Sequence, residues 1–511
     1  MKPVRSTASV LRSVRRSSLV GGSALLIGMG LFTATAGAAT ASGASPDRAA
    51  PLANPAVCST YCDGTPVTKA KGDRLADGTT IYGRSIELHI DDRQAMGWAI
   101  IANGDPTDEV WLNRSFDGGK TWEDTRLGDT TIPAGLRTAS TTMFNLNDPA
   151  NNATGVVRAC GKAGNVADIA CTAWTGTATP PRPTTPARGA VDALIKLYNP
   201  TTGLFNTTGW WNSANALTGV IDYAQATGDH RYDWIIANTY EKNLTAQAGN
   251  FTNDYIDDTG WWALAWIRAY DLTHDKRYLQ TAQVDVDYMW SYHDSTCGGG
   301  LWWSTAKTYK NAVTNELFIK ASAELHNRIH GDTTYLDRSV SNWKWFQASG
   351  MINSDHMIND GLDNTTCKNN NGTTWSYNQG VILGGLNDLY AATHDHGYLT
   401  QAKALADAST RSTVLNPKGV LTEPCEATDC GGDGPTFKGV YVRNLGELNK
   451  TLKSSSYQSY LQRQGGVAWL RDRNPYNQYG VHWAGPVASI SAATQASAVD
   501  AQVAAYPARG K

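Results

Sequence analysis

Four times between residues 227 and 399 the chain repeats one short turn. Thr227-Gly228-Asp229-His230-Arg231-Tyr232 recurs as Thr273-His274-Asp275-Lys276-Arg277-Tyr278, as His330-Gly331-Asp332-Thr333-Thr334-Tyr335, and as Thr393-His394-Asp395-His396-Gly397-Tyr398. Each copy follows a helix-like stretch ending in apolar residues. The Asp is placed to cap the next helix, and the aromatic three residues on starts that helix's buried face. The Asp positions lie 46, 57 and 63 residues apart, which holds one helical hairpin plus a variable loop per interval. Hairpins repeated at this spacing can close into a toroid. The pattern therefore predicts an all-α, α/α-barrel domain over 189–511, with apolar, aromatic inner helices and long Gly-rich loops at one mouth. The tail from Val487 is read as a last helix closing the ring. A linear helical solenoid is the competing architecture. It fits less well, because the polar and aromatic loops need a shared cleft.

The segment before the repeats has a different texture. Residues 1–41 read as an export signal: Arg12, Arg15 and Arg16, a short Gly-rich apolar core from Leu19 to Phe32, then Ala36-Gly37-Ala38 and Ala39-Thr40-Ala41. The core is short for a membrane span, and no later stretch resembles one. A secreted, extracellular protein follows as the expectation. Export gives the eight cysteines a disulfide reading, and without a CxxC pair a zinc site is disfavoured. Cys58–Cys62, Cys160–Cys171 and Cys425–Cys430 are the expected pairs, with Cys297–Cys367 left by elimination. Residues 55–176 carry short alternating runs between Gly, Asp and Asn, which predicts a small all-β module. Within it, Ser115-Phe116-Asp117-Gly118-Gly119-Lys120-Thr121-Trp122 resembles the Asp-box hairpin of sialidases, where the Asp bonds its own turn. One copy does not make a propeller; a carbohydrate-binding module and a structural appendage both remain open. Residues 177–188 form a Pro/Thr linker, expected to be extended.

The chemistry concentrates in Asp254-Tyr255-Ile256-Asp257-Asp258-Thr259-Gly260-Trp261-Trp262. Two adjacent carboxylates open a helix that is apolar nearly all round, beside indoles. Such carboxylates resist ionisation unless paired or hydrogen-bonded. Glycoside hydrolysis needs two carboxyl groups, ~5–5.5 Å apart for retention and ~6.5–9.5 Å for inversion. Adjacency favours the shorter separation, hence a retaining route. A helix cap is the alternative for the same residues; a calcium site is another, but no D-x-D-x-D-G loop accompanies it. No metal or cofactor is expected. Further loops place polar groups beside rings: Gly298-Gly299-Gly300-Leu301-Trp302-Trp303, Lys310 to Phe318 with Asn315 and Glu316, Tyr377-Asn378-Gln379-Gly380, and Lys438 to Arg443. Each can be read as helix capping. Together they suggest a groove in which Trp261, Trp302, Trp303, Asn315, Glu316, Tyr377, Asn378, Gln379, Lys438 and Arg443 contact substrate. The chain has 18 Trp and 22 Tyr against 8 Phe, rings that stack on sugar faces while keeping a polar handle. With 18 % charged residues and a net charge of −2, nothing points to nucleic acid.

The Asp pair with its flanking residues, together with Asn311 to Phe318, Tyr377-Asn378-Gln379-Gly380 and Lys438-Gly439-Val440-Tyr441-Val442-Arg443, resembles glycoside hydrolase family 76, the endo-α-1,6-mannanases. The segments occur in the expected order over roughly 189–473, with no departure at the pair. The resemblance implies an (α/α)6 barrel, a retaining mechanism, Asp257 as nucleophile and Asp258 as acid/base. It implies a bacterial, exported member carrying an extra β module, acting as a monomer on α-mannan. The family also includes fungal cell-wall proteins held to be transglycosylases, so a sugar could replace water as acceptor. A non-catalytic glycan-binding protein is the third reading.

Overall fold

The computed structural model describes residues 56–122, 126–181, 183–452 and 456–505; the export signal expected over 1–41 lies outside them. The N-terminal part is all β. One antiparallel sheet runs β1 (Arg74–Ile81), β2 (Arg84–Asp91) and β3 (Met96–Ala102), with the short β6 (Ala139–Ser140) and β7 (Phe144–Asn145) both on β3. The other has the order β5 (Leu127–Thr131), β4 (Glu109–Ser115), β8 (Val156–Lys162), β9 (Ala170–Cys171). Alternation explains the sandwich: Ile86, Leu88 and Ile90 of β2 meet Val110 and Leu112 of β4 and Val157 and Ala159 of β8 in one core. The Asp-box turn forms as its sequence demands. Thr121 donates its backbone N–H and its hydroxyl to Asp117, 2.8 and 2.6 Å, and these bonds hold the Asp117 carboxyl below the usual range.

Helices make up most of the rest, in chain order α1 (Pro186–Ile195), α2 (Trp210–Thr227), α3 (Trp234–Asn243), α4 (Ile256–Thr273), α5 (Lys276–Trp290), α6 (Ala312–His326), α7 (Thr334–Ala348), α8 (Ser376–Thr393), α9 (His396–Arg411), α10 (Gly434–Thr451), α11 (Gln458–Arg471) and α12 (Ala492–Ala505). Helix α1 starts inside the expected linker, because Thr185 accepts the Arg188 N–H and Pro186 suits a first helical position. The even-numbered helices form a closed ring: α2 packs on α4, α4 on α6, α6 on α8, α8 on α10, α10 on α12, and α12 back on α2. The odd-numbered helices lie outside, α5 against α4 and α6, α7 against α6, α9 against α8, and α11 and α1 against α12. Helix α3 joins this layer through Tyr240, whose ring meets Trp266 of α4 and Tyr278 of α5 edge-on. An α/α barrel thus replaces the solenoid alternative. Inner helices are buried on every side, as α6 is from Ala312 to Leu325. Two glycines allow the close approach: a Cβ on Gly380 would fall 2.6 Å from the Tyr441 Cα, and one on Gly439 2.5 Å from the Ser497 Cα.

The repeated turn works as its residues predict in three of its four copies. In the first, α3 begins only at Trp234, after an Asp233 that makes no cap bond, and Asp229 accepts the Arg188 and Arg231 side chains instead. Asp275 and Asp395 accept the N–H of Arg277 and Gly397 and cap α5 and α9, while Asp332 accepts from Tyr335 at the start of α7. All four disulfides form in the expected pairing. Cys297–Cys367 closes 70 residues of chain, so replacing both by serine should lower stability by ~4 kcal/mol through the freed unfolded chain. Urea unfolding of the full chain measures this.

The β sandwich and the ring belong to one compact unit. Strand β1 would be a bare sheet edge. Instead Gln478, between α11 and α12, donates to the Leu75 carbonyl and accepts the Leu75 N–H, 2.6 and 3.0 Å. Asn474 donates to the Asp73 carbonyl, and the Tyr476 hydroxyl donates to the Ala178 carbonyl.

Candidate active site

Helix α4 opens without a side-chain cap, so its first-turn carboxylates Asp257 and Asp258 are free for other partners. The strand-like segment after Gly300 lies alongside this helix start. The Ile256 N–H donates to the Trp303 carbonyl at 2.7 Å and the Thr305 N–H to the Asp254 carbonyl at 2.9 Å. This pairing brings the Trp303 ring to Asp257, which accepts the indole N–H. Asp258 accepts the Asn253 amide at 2.6 Å; Asn253 is itself held by the Tyr288 hydroxyl on its carbonyl. One Asp257 oxygen, Oδ1, has no hydrogen-bond partner.

Rings stand around the pair. Tyr255, Trp303 and Tyr309 pack in series, centroids 5.1 and 6.1 Å apart. Trp211 stacks on Trp261 at 5.3 Å and on Phe437 at 6.2 Å, and Tyr377 meets Phe437 at 4.1 Å. Asp257, Asp258, Trp211, Trp303 and Trp375 are all half-buried, and Tyr255 is exposed. The two aspartates are thus part-exposed as residues, although Asp257 Oδ1 itself is shielded from solvent.

That setting decides the protonation. Burial pushes Asp258 up to about 7, with the charge of Asp433 adding to it against the Asn253 hydrogen bond. Burial and the neighbouring Asp258 charge raise Asp257 too, opposed by the Trp303 indole and first-turn N–H groups. Two such carboxyls titrate as a pair, and near neutrality the pair keeps one proton. Both carboxyls accept donors that favour an anion, Asp257 from the Trp303 indole and first-turn N–H groups and Asp258 from the Asn253 amide. Burial outweighs them at both, and most strongly at Asp257. Asp258 faces the charge of Asp433, which favours the acid. Glu316 is buried with no partner on either oxygen, so burial holds it neutral; its charge, like those of Asp257 and Asp360, would bear on Tyr377.

Asp257, Asp258, Trp261, Trp303, Glu316 and Tyr377 thus come together. Other residues read as groove-lining brace the walls instead. Trp302 donates to Asp294 and lies under the Lys310 ammonium, 4.7 Å away. Asn315 bonds both backbone groups of Leu301. Gln379 does the same for Ile358. Lys438 bonds Glu426 and the Val481 carbonyl, and Arg443 bonds Asp500 and Asn215. Asn378 is fully buried, with no partner for its amide. Asn315, Gln379 and Lys438 share one reason: on a helix buried all round, a polar side chain that faces a neighbouring loop looks the same in sequence as one that faces a groove. Asn253, Trp211 and Asp433 went unread. The signals were an amide five residues before Asp258, a Trp pair after Gly209, and an Asp closing Cys430-Gly431-Gly432-Asp433. For a metal, Glu324, Asp388 and Glu447 offer oxygens within 4.8 Å of one another, but the Lys320 ammonium already bonds all three.

A family model described as glycosyl hydrolase family 76 matches residues 185–508, well over half the chain. The chain belongs to glycosyl hydrolase family 76. Among its relatives, the mannan endo-1,6-alpha-mannosidase DFG5 of Saccharomyces cerevisiae is 27 % identical over 276 residues, covering 49 % of this chain and 59 % of that protein. DCW1 of the same yeast, also named a mannan endo-1,6-alpha-mannosidase, is 29 % identical over 278 residues, 49 % of this chain and 60 % of that protein. The match thus spans about 60 % of the length of these family 76 relatives. Among solved structures, the GH76A alpha-1,6-mannanase of Salegentibacter sp. superposes with a TM-score of 0.56 at 23 % identity, over 63 % of this chain and 98 % of that one. A family 76 glycoside hydrolase from a bovine Bacteroides thetaiotaomicron strain reaches 84 % of this chain and 98 % of its own, TM-score 0.53 at 19 % identity. These likenesses bear on the fold.

Proposed function

We propose that this protein is an exported, monomeric, endo-acting hydrolase that cleaves α-1,6-mannosidic bonds with retention of configuration. The observation that carries the reading is the one-proton pair Asp257–Asp258 among part-exposed rings. Asp257 Oδ1 attacks the anomeric carbon while Asp258 gives its proton to the departing glycosidic oxygen. A covalent glycosyl ester forms and the leaving sugar departs. Asp258, now anionic, takes a proton from water, whose oxygen attacks the same carbon and frees Asp257. The unpartnered Oδ1 suits a nucleophile. The relatives' names support the linkage, and a structure exists of an inactive variant of the Salegentibacter enzyme with α-1,6-mannotriose. The sequence of residues 1–41 and the four disulfides support export.

Linear α-1,6-mannan is the test, with chromatography of products and NMR of the anomer first released. Internal cleavage giving the α-anomer is expected. Release of β-anomer overturns retention, products longer than the substrate mean a sugar acceptor, and binding without new reducing ends means a non-catalytic protein. The pH profile is a second check. The kcat/KM of the wild type should be bell-shaped, rising as the pair loses the first of two protons near 7 and falling when the second leaves at higher pH. Asp433→Asn removes a charge that favours the protonated form, so the limb near 7 should move to lower pH by about half a pH unit. The Trp211 indole keeps its acceptor, because the amide oxygen replaces the carboxylate oxygen it bonds at 2.7 Å.

A further inference from the structure

Between the β sandwich and the helical ring lies a cleft of about 670 Å³. Thr79, Thr80, Asn103 and Arg137 line it from the sandwich, and Thr208, Trp210 and Asp433 from the ring. We propose that this cleft is a second glycan site, which takes neutral mannosyl units of the chain being cut, at a distance from the bond that breaks. The proposal rests on the α-mannan reading above.

The lining chemistry points to an uncharged polyol. Hydroxyls and amides dominate, with an indole among them, and such a mixture serves the hydroxyls and the apolar C–H face of a hexose together. The volume lies within the roughly 300–1,000 Å³ of ordinary small-ligand sites. Two polar groups there lack partners: the Trp210 Nε1–H and the Thr208 hydroxyl are shielded from solvent and hydrogen-bond to nothing in the protein. A sugar hydroxyl reaches either group only if the lining side chains shift, a shift favoured by the cost of a buried donor without an acceptor.

The cleft continues toward the reacting pair. Asp433 lines it, accepts the Trp211 indole N–H at 2.7 Å, and bears on the Asp258 proton. Trp210 and Trp211 open the same helix α2 and face the two regions in turn, Trp210 at the cleft and Trp211 on Trp261. The two walls are also fixed to each other. Gln478 and Asn474 tie β1 to the ring, and a Cβ on Gly78 would fall 2.2 Å from Thr207 Cγ2. A wall already held in place needs no ordering when a chain binds. The sandwich is then part of the substrate path, and polymers long enough to reach it gain affinity that short oligosaccharides do not.

The test uses the full chain and substitutions on the exposed sandwich side, Thr80→Ala with Arg137→Ala, and Thr80→Trp to fill the cleft. Binding of an α-1,6-mannohexaose is measured by calorimetry on protein that also carries Asp257→Asn and Asp258→Asn. Turnover is measured in the wild-type background on mannotriose and on polymer. Cleft variants should weaken hexaose binding and raise KM on polymer about tenfold, with kcat and mannotriose turnover unchanged. Unchanged hexaose affinity and unchanged polymer KM overturn the inference while leaving the mannanase reading standing. Failure of the wild type to cut any α-mannan overturns that reading instead. In that case hexaose affinity that still depends on Thr80 and Arg137 upholds the cleft as a glycan site, and affinity that ignores them overturns it.

Discussion

Asp257→Asn and Asp258→Asn should each abolish cleavage of α-1,6-mannan, by about 10⁴-fold in kcat, while making the folded protein more stable above neutral pH. The activity loss follows from the division of labour. Without Asp257 no glycosyl ester forms; without Asp258 the leaving oxygen departs without a proton. The gain in stability follows from where the carboxyls sit. Asp258 ionises only near 7 in the folded chain, against about 4 when unfolded. Between those values the folded state holds a proton that the unfolded state has released, so stability is complete below about pH 4 and is lost as pH rises through about 7. An asparagine does not titrate, so the Tm advantage of Asp258→Asn over wild type should grow across that window. Asp257, freed of the Asp258 charge, ionises at lower pH in the variant and adds to the advantage, while groups away from the pair titrate alike in both proteins and cancel. Scans at pH 4 and pH 8 measure it. An inactive variant whose Tm advantage over wild type is no larger at pH 8 than at pH 4 would show that burial does not hold the proton. A variant that keeps near-full activity would remove that residue from the chemistry.

What the sequence made legible was whatever depends on near neighbours. The capping role of Asp275, Asp332 and Asp395 is contained in six residues each, and the Cys58–Cys62, Cys160–Cys171 and Cys425–Cys430 bridges span short loops. The Asp pair was conspicuous because carboxylates seldom precede a tryptophan-rich buried helix. What depends on ring closure was not legible. Trp211 reaches Trp261 and Asp433 only because α12 returns to α2 and sets α2 between α4 and α10's approach. Lys438 and Arg443 carry charge into buried positions, which in sequence suggests a ligand; their partners Glu426 and Asp500 lie 12 and 57 residues away and could not be paired in advance. Asn315 and Gln379 show the same limit at shorter range, since a loop's backbone advertises no side-chain partner.

The second large effect should come from Lys320→Met, far from the chemistry. Lys320 is 3 % exposed, and its ammonium lies 3.1, 2.9 and 2.8 Å from Glu324, Asp388 and Glu447. Arg268 of α4 adds a second cation on Glu447. Helices α4, α6, α8 and α10 are thereby clamped to one another around the inside of the ring. Removing one partner of a buried ion cluster leaves charge uncompensated and lowers stability by ~3–5 kcal/mol, whereas replacing a whole cluster by apolar groups can be neutral. The pH dependence identifies the cause. Glu447 is held down to about 2 by Arg268 and Lys320, against the burial that would raise it, and Glu324 is lowered by Lys320 and Arg268. A depressed carboxylate contributes stability that is present above its unfolded value, near 4.3, and is lost as pH falls through its folded value. Lys320→Met weakens that contribution, so its deficit should shrink as pH falls from about 4 toward 2, and Asp388, which burial pushes up to about 7 against the Lys320 charge, should deepen it above neutrality. Adding Glu324→Gln should restore part of the loss at pH 7. Arg268 lies eleven residues beyond Asp257, about 16 Å along the helix, so whatever fraction stays folded should keep wild-type kcat. A deficit independent of pH would assign the effect to packing, and a fall in kcat of the folded fraction would mean that the clamp also sets the position of the aspartates.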